Sequence, residues 1–278
     1  MAFNPGAVDV SVNNVILSST GTYTTFSLTA VSTGTITSNG KTISSLTINN
    51  GTGTTTLTGA LTMLVNTNLT SGKLNMAGFS LTTSSVLSNS ASGVARSING
   101  GGSPLATITV LVDWTVTNGT GFTGGIWTNT TNGYTINMIN TGNKIFTGNG
   151  GYYGTVNQGG SGNLIFADSS RITNITATSM PSTILFTAGT TQTLNVLTLS
   201  GTLGSLVTLN STTQGTQFNL SKSGSPVSTN YLSIRDSNAT GGAVFYAGAD
   251  STNVSNNIGW VFTLPPAQPV NSQGFLLF

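Results

Sequence analysis

Residues 41–81 read KTISSLTINNGTGTTTLTGALTMLVNTNLTSGKLNMAGFSL. Short alternating segments recur in it: Lys41–Ile48 (KTISSLTI), Thr55–Leu61 (TTLTGAL) and Lys73–Leu81 (KLNMAGFSL). Leu46 and Ile48, like Leu74 and Met76, are separated by a single polar residue. A period of two turns one face of a strand toward a core and the other toward water. Turn-forming Asn50-Gly51 and Gly72 punctuate the segments.

The same unit continues along the chain. It returns as Thr107–Val112 (TITVLV), Tyr134–Ile139 (YTINMI), Asn163–Phe166 (NLIF) and Thr193–Leu199 (TLNVLTL). Ser205–Leu209, Gln217–Leu220 and Tyr231–Ile234 follow the same rule. The pattern predicts an all-β chain whose strands are unevenly spaced, by roughly 9 to 25 residues. Two or three strands per coil with turns of variable length would produce such spacing, as in a right-handed parallel β-helix, a solenoid. A β-sandwich is the alternative, because strands every 8–12 residues or so also suit it. Asn-Gly and Gly-Gly turns (Asn39-Gly40, Asn50-Gly51, Gly150-Gly151, Gly241-Gly242) recur without evident hairpin partners, which favours the solenoid.

Composition points the same way. Only 4% of the 278 residues are charged, where about 25% is usual. There are seven Lys and Arg, five Asp, and no Glu, His or Cys. On adjacent coils, like charges would stack about 4.8 Å apart and repel, so a solenoid favours Thr, Ser and Asn on its outer columns. Apolar residues make up 37%, enough for a core, and set the chain apart from disordered sequences. The seven cations are scattered from Lys41 to Arg235, with none of the clustering that displaces counterions from a polynucleotide, so no nucleic-acid partner is expected. No run approaches the ~20 apolar residues of a membrane span, and the first residues, MAFNPGAVDVSVNN, lack the basic and apolar regions of a signal peptide. Neither membrane insertion nor export by a signal peptide is expected.

Three regions are anticipated: residues 1–33 as an N-terminal cap or attachment segment, 34–262 as the solenoid, and 263–278 as a Pro-containing, extended C-terminal tail. A solenoid needs covered ends, since an open coil is a strand edge awaiting a partner. The tail ends in Phe275, Leu276, Leu277 and Phe278, an apolar tag expected to dock on its own solenoid or on another subunit.

The runs TGTITSNGKTISSLTINNGTGTTTLTGALT (33–62), LTSGKLNMAGFSLTTSS (69–85) and VARSI (94–98) resemble Thr/Gly-rich right-handed β-helix proteins. These occur in aquatic bacteriophages, as virion fibre or surface proteins, and among related bacterial surface proteins. Residues 183–221 and the closing YLSIRDSNATGGAVFYAGADSTNVSNNIGWVF (231–262) are similar to the same family. The likeness spans roughly residues 30–262 and names no catalytic residue. It implies a bacteriophage virion structural protein, a tail fibre, spike or capsid-decorating fibre, made in the host cytoplasm and resident in the virion. Its partners would be other virion proteins, host-surface polysaccharide and further copies of itself. A homotrimer is expected by analogy, because three solenoids side by side bury faces that one exposes. A bacterial surface adhesin or extracellular matrix fibre, located at the cell surface, is the alternative. A glycan-cleaving tailspike is a second one.

Few residues offer chemistry. Glycan hydrolysis usually takes two carboxylates, and Asp236 with Asp250 is the nearest to a pair among Asp9, Asp113, Asp168, Asp236 and Asp250. Arg235 abuts Asp236, and Asp in such loops usually caps turns, so catalysis is not expected. Without His or Cys, zinc, haem and iron–sulfur sites lose their usual ligands. Asp236, Asn238 and Asp250 are the weak candidates for a hard cation, but their loop lacks the dense acidic character of a good site, and neither metal nor cofactor is expected. Aromatic rings remain. Trp127, Tyr152 and Tyr153 lie in Gly/Asn-rich stretches and are the candidates for stacking on sugars, with packing against a neighbouring coil as the competing role. Trp260 is expected to close the core.

Overall fold

A computed structural model describes residues 10–11, 14–17, 23–90, 94–101, 106–118 and 134–267. The chain is a right-handed parallel β-helix of about ten turns. Every strand ladder among these residues is parallel, which sets the sandwich aside. The exception is one isolated antiparallel bridge, Thr202 with Ser205, at a surface turn. Among the described residues there is no helix, hence none able to cross a membrane.

A coil consists of three short strands on three faces. In one coil the first face is Leu164–Phe166, while Ser170–Ala177 bends to supply the second and third. The next coil pairs with it through Ser182–Phe186 and Thr191–Leu194. Asn-Gly corners make the bends. Asn39 and Gly40 (φ 49° and 71°) and Asn149 and Gly150 (φ 49° and 73°) both take left-handed conformations. Such a pair is a hairpin turn in an antiparallel sheet; here each leads into the next face of the same coil, and so hairpin partners are missing from the sequence. Coil length explains the uneven spacing. Phe146, Phe166 and Phe186 are register partners twenty residues apart, whereas Asp113 and Ile145 on adjacent coils are 32 apart.

Alternation places apolar residues in vertical columns. On the third face Leu61, Leu81, Ile108, Ile136, Val156 and Ile175 stack in register, all buried. On the first face, Leu46, Thr67 and Val86 lead into Trp114, Phe146, Phe166 and Phe186. The ring centroids lie 6.1, 5.4 and 5.1 Å apart, the middle pair tilted by 58° and the other two stacked, and Phe218 continues the pile at 4.3 Å from Phe186. Beside this column runs another, Leu164, Ile184, Leu209 and Ile234, which ends on Asn253.

The outward columns differ by face: Ile145, Ile165 and Leu185 stand in register on the outside of the first face, at least partly exposed, while the third face is polar. On the third face Thr62, Thr82, Thr109, Asn137, Asn157 and Thr176 are register neighbours. The Asn157 amide donates to Asn137 Oδ1 at 2.8 Å, and Thr176 Oγ1 donates to Asn157 Oδ1 at 2.9 Å. The ladder needs side chains able both to donate and to accept, which Thr and Asn provide and like charges do not.

Candidate functional site

The four described carboxylates hold turns. Asp168 accepts from the Gly148 and Asn149 amides at 2.9 and 2.6 Å, tying its own corner to that of the coil before. Burial raises its pKa, against the pull of those two donors and of Ser170. Asp113 accepts from the Ile145 amide at 2.7 Å. Buried Asp236 accepts from the Gly215 amide at 3.0 Å and the Asn256 amide at 2.8 Å, and pairs with Arg235 at 3.3 Å. Asp250 is on the surface, bonded reciprocally to Asn230 at 2.8 and 3.0 Å.

Asp236 and Asp250 thus engage different partners. Asn238 gives its amide to Asn219 at 2.9 Å, within an Asn ladder. Among the described residues no three His, Cys, Asp or Glu side chains gather into a metal-holding group. Asp9 lies outside those residues.

Three of the cations are inside the solenoid: Arg96, Lys144 and Lys222. Lys144 starts the Leu164–Ile184 column and donates to the carbonyls of Asn140 (3.1 Å) and Gly162 (2.7 Å). Gln158 donates to that same Gly162 carbonyl. Burial lowers the Lys144 pKa to about 8. Lys222 closes a turn by donating to the carbonyls of Ser223 (3.1 Å) and Ser225 (2.6 Å). A lysine ringed by carbonyls is a clamp on backbone polar groups that would otherwise be buried without donors. Arg96 donates to Ser88 Oγ at 2.8 Å. Sequence inspection missed this role, since nothing local distinguishes an inward Lys from an outward one.

The aromatic candidates separate. Tyr153 is corrected: it is fully buried, edge-on to Phe146 at 4.9 Å and to Trp114 at 5.9 Å, and its hydroxyl donates to Gly148 O at 2.6 Å. No sugar reaches it. The physical reason is parity: of two adjacent strand residues, one faces in. Tyr152 is the outward one, 45% exposed, and the Arg171 guanidinium carbon lies 5.2 Å from its ring centroid. Tyr152 and Arg171 are register partners on consecutive coils. Their offset of one coil length was the available signal for Arg171. Trp260 packs against Phe245 at 5.2 Å and donates to Ser237 Oγ at 3.0 Å, partly covering the last coil as expected. Trp127 and the tail residues Phe275, Leu276, Leu277 and Phe278 lie outside the described residues.

No family model matches the chain, and no match was found among curated proteins or solved structures.

Proposed function

We propose that this protein is a structural component of a bacteriophage virion, a tail fibre, spike or capsid-decorating fibre that contributes to attachment to host-surface glycans. The observation that carries the reading is the use of the side chains: the described carboxylates are tied into corners, three cations are turned inward, and the outward column of the third face is a continuous Thr/Asn ladder. Coils stacked in this way build a rod in which each coil contacts its neighbours along the axis. The described carboxylates act as turn acceptors, which supports a scaffold over a glycan-cleaving role. The resemblance of residues 30–262 to Thr/Gly-rich phage β-helix proteins supplies the setting. Assembly as a homotrimer in contact with other virion proteins belongs to the same reading, as does synthesis in the host cytoplasm.

Peptide mass spectrometry on purified particles and on the host envelope fraction tests it. Stoichiometric peptides in particles are expected, and copy number distinguishes a few-copy fibre from an abundant decoration protein. Enrichment in the envelope with absence from particles would replace this reading with a cell-surface adhesin. Light scattering on the purified chain is expected to return three times the monomer mass; a monomer removes the trimer.

A further inference from the structure

We infer that Tyr152 and Arg171 form a subsite for the carboxylate-bearing sugar units of an acidic polysaccharide. The inference rests on the attachment reading and adds to it the charge class of the ligand.

Among the described cations, Arg96, Lys144 and Lys222 are buried, Arg235 is paired with Asp236, and Lys41, Lys73 and Arg171 are at least partly exposed. Arg171 is exposed, and it lies over the ring of an exposed tyrosine. A cation–π contact with Tyr152 restrains the guanidinium of an exposed residue. A restrained Arg loses less freedom when it grips a carboxylate, and its planar fork matches two carboxylate oxygens. The nearest carboxylate along the chain, Asp168, directs its oxygens to Gly148 N, Asn149 N and Ser170 Oγ, away from competition for that fork.

The same outward column continues in register from Arg171 through Thr193 and Ser221 to Thr240. These hydroxyls recur once per coil, about every 4.8 Å, a spacing comparable to the length of one sugar unit. A polysaccharide lying along the axis therefore meets one charge-fixing contact followed by a row of hydroxyl partners. An acidic polymer also finds few opposing charges on a chain with five Asp and no Glu.

The full chain is titrated against immobilised alginate, polygalacturonate, hyaluronan and polysialic acid, with carboxyl-reduced alginate, dextran and polyphosphate as comparators. At least one carboxylated polymer is expected to bind, its carboxyl-reduced form or dextran at least tenfold more weakly. Arg171→Gln should weaken binding tenfold or more and Tyr152→Ala several-fold, while Lys73→Gln leaves it unchanged. Arg171→Lys keeps the charge and loses the fork, so it too should weaken binding; it also serves if the glutamine variant misfolds. Binding to none of the carboxylated polymers overturns the subsite. Equal binding to polyphosphate, an unaffected Arg171→Lys, or an equal loss in Lys73→Gln also overturns it, showing unspecific charge attraction. A chain present in particles that binds no acidic polymer loses the subsite and keeps the structural role; one absent from particles that binds through Arg171 does the reverse.

Discussion

The coils on either side of Trp114 differ in their interior. Before it, the first-face column holds Leu46, Thr67 and Val86; from it onward the column holds Trp114, Phe146, Phe166 and Phe186. The earlier coils are cored by aliphatic side chains such as Leu46, Leu61, Leu81 and Val86. In the aromatic coils successive rings lie 5.1 to 6.1 Å apart, stacked at Trp114–Phe146 and Phe166–Phe186 and tilted by 58° at Phe146–Phe166. The parallel ladder continues through this change, so the backbone sets the repeat and the core is chosen coil by coil. Buried cations are found near the transition: Arg96 just before Trp114, Lys144 just before Phe146. Lys144 is held there by the carbonyls of Asn140 and Gly162, and Arg96 donates to Ser88 Oγ.

Breaking an aromatic coil is expected to have the largest effect. Phe166 is sandwiched between Phe146 and Phe186, so Phe166→Ala should cost about 3–5 kcal/mol, against about 2–4 kcal/mol for Leu81→Ala in an aliphatic column. Urea melts of both variants, followed by circular dichroism, test the ranking; equal losses would mean that stacking adds nothing beyond buried area.

Close approach between coils gives a second test. A Cβ on Gly162 would come within 1.9 Å of Gly142 O, so Gly162→Ala should cost about 1–3 kcal/mol by forcing the corners apart. At Gly189 a Cβ would meet nothing within 4 Å, though its φ of 77° disfavours a side chain, so Gly189→Ala isolates backbone strain from crowding. Thermal melting that ranks Gly189→Ala as the more damaging would reverse this picture.

The buried Lys144 sharpens the comparison through pH. Its pKa in the fold is about 8, below the ordinary 10.5 of the unfolded chain. Between these values the unfolded state binds more protons, so stability should rise with pH from 8 toward 10. Tyr134 and Tyr153, whose pKa values burial raises, act oppositely above pH 10, where the unfolded phenols ionise first. Melting temperature should therefore peak near pH 10. Lys144→Met should flatten the rise below pH 10, and because it also takes the donor from the Asn140 carbonyl it should not stabilise the chain at pH 7. A rise that survives this substitution would place its origin elsewhere.

The smallest effect is expected on the outer ladder. Asn157 bonds three neighbours, so Asn157→Ala should cost about 1 kcal/mol. Thr62→Ala, with an exposed partner row and no such junction, should stay within about 0.5 kcal/mol. Both are read from shifts in urea midpoint.

Much of the core followed from alternation. Leu46, Ile48, Leu74, Met76 and Ile108 are buried where the period of two puts them. It also requires that Tyr152 and Tyr153 face opposite ways, though not which of them faces in, and it fails at the corner that follows, where Tyr153 and Gly154 are both buried. The carboxylates were foreseen as turn caps, but the turn that each one holds belongs to a neighbouring coil, typically some twenty residues away. Lys144 and Lys222 carried no local sign of burial. The end of one column was equally hidden: the Leu164–Ile234 column stops on exposed Asn253, and Trp260 packs on Phe245 at the last coil.

By itself the sequence determined the strand period and the scarcity of charge, and it favoured the solenoid over the sandwich, because short-range alternation and the cost of stacking like charges are both legible locally. Only the tertiary structure decided which residues on successive coils become neighbours. Coil lengths vary, and the insertion between residues 113 and 145 shifts every later partner. The Tyr152–Arg171 pair, the aromatic pile and the lysine clamps all depend on that vertical register, which no local pattern specifies.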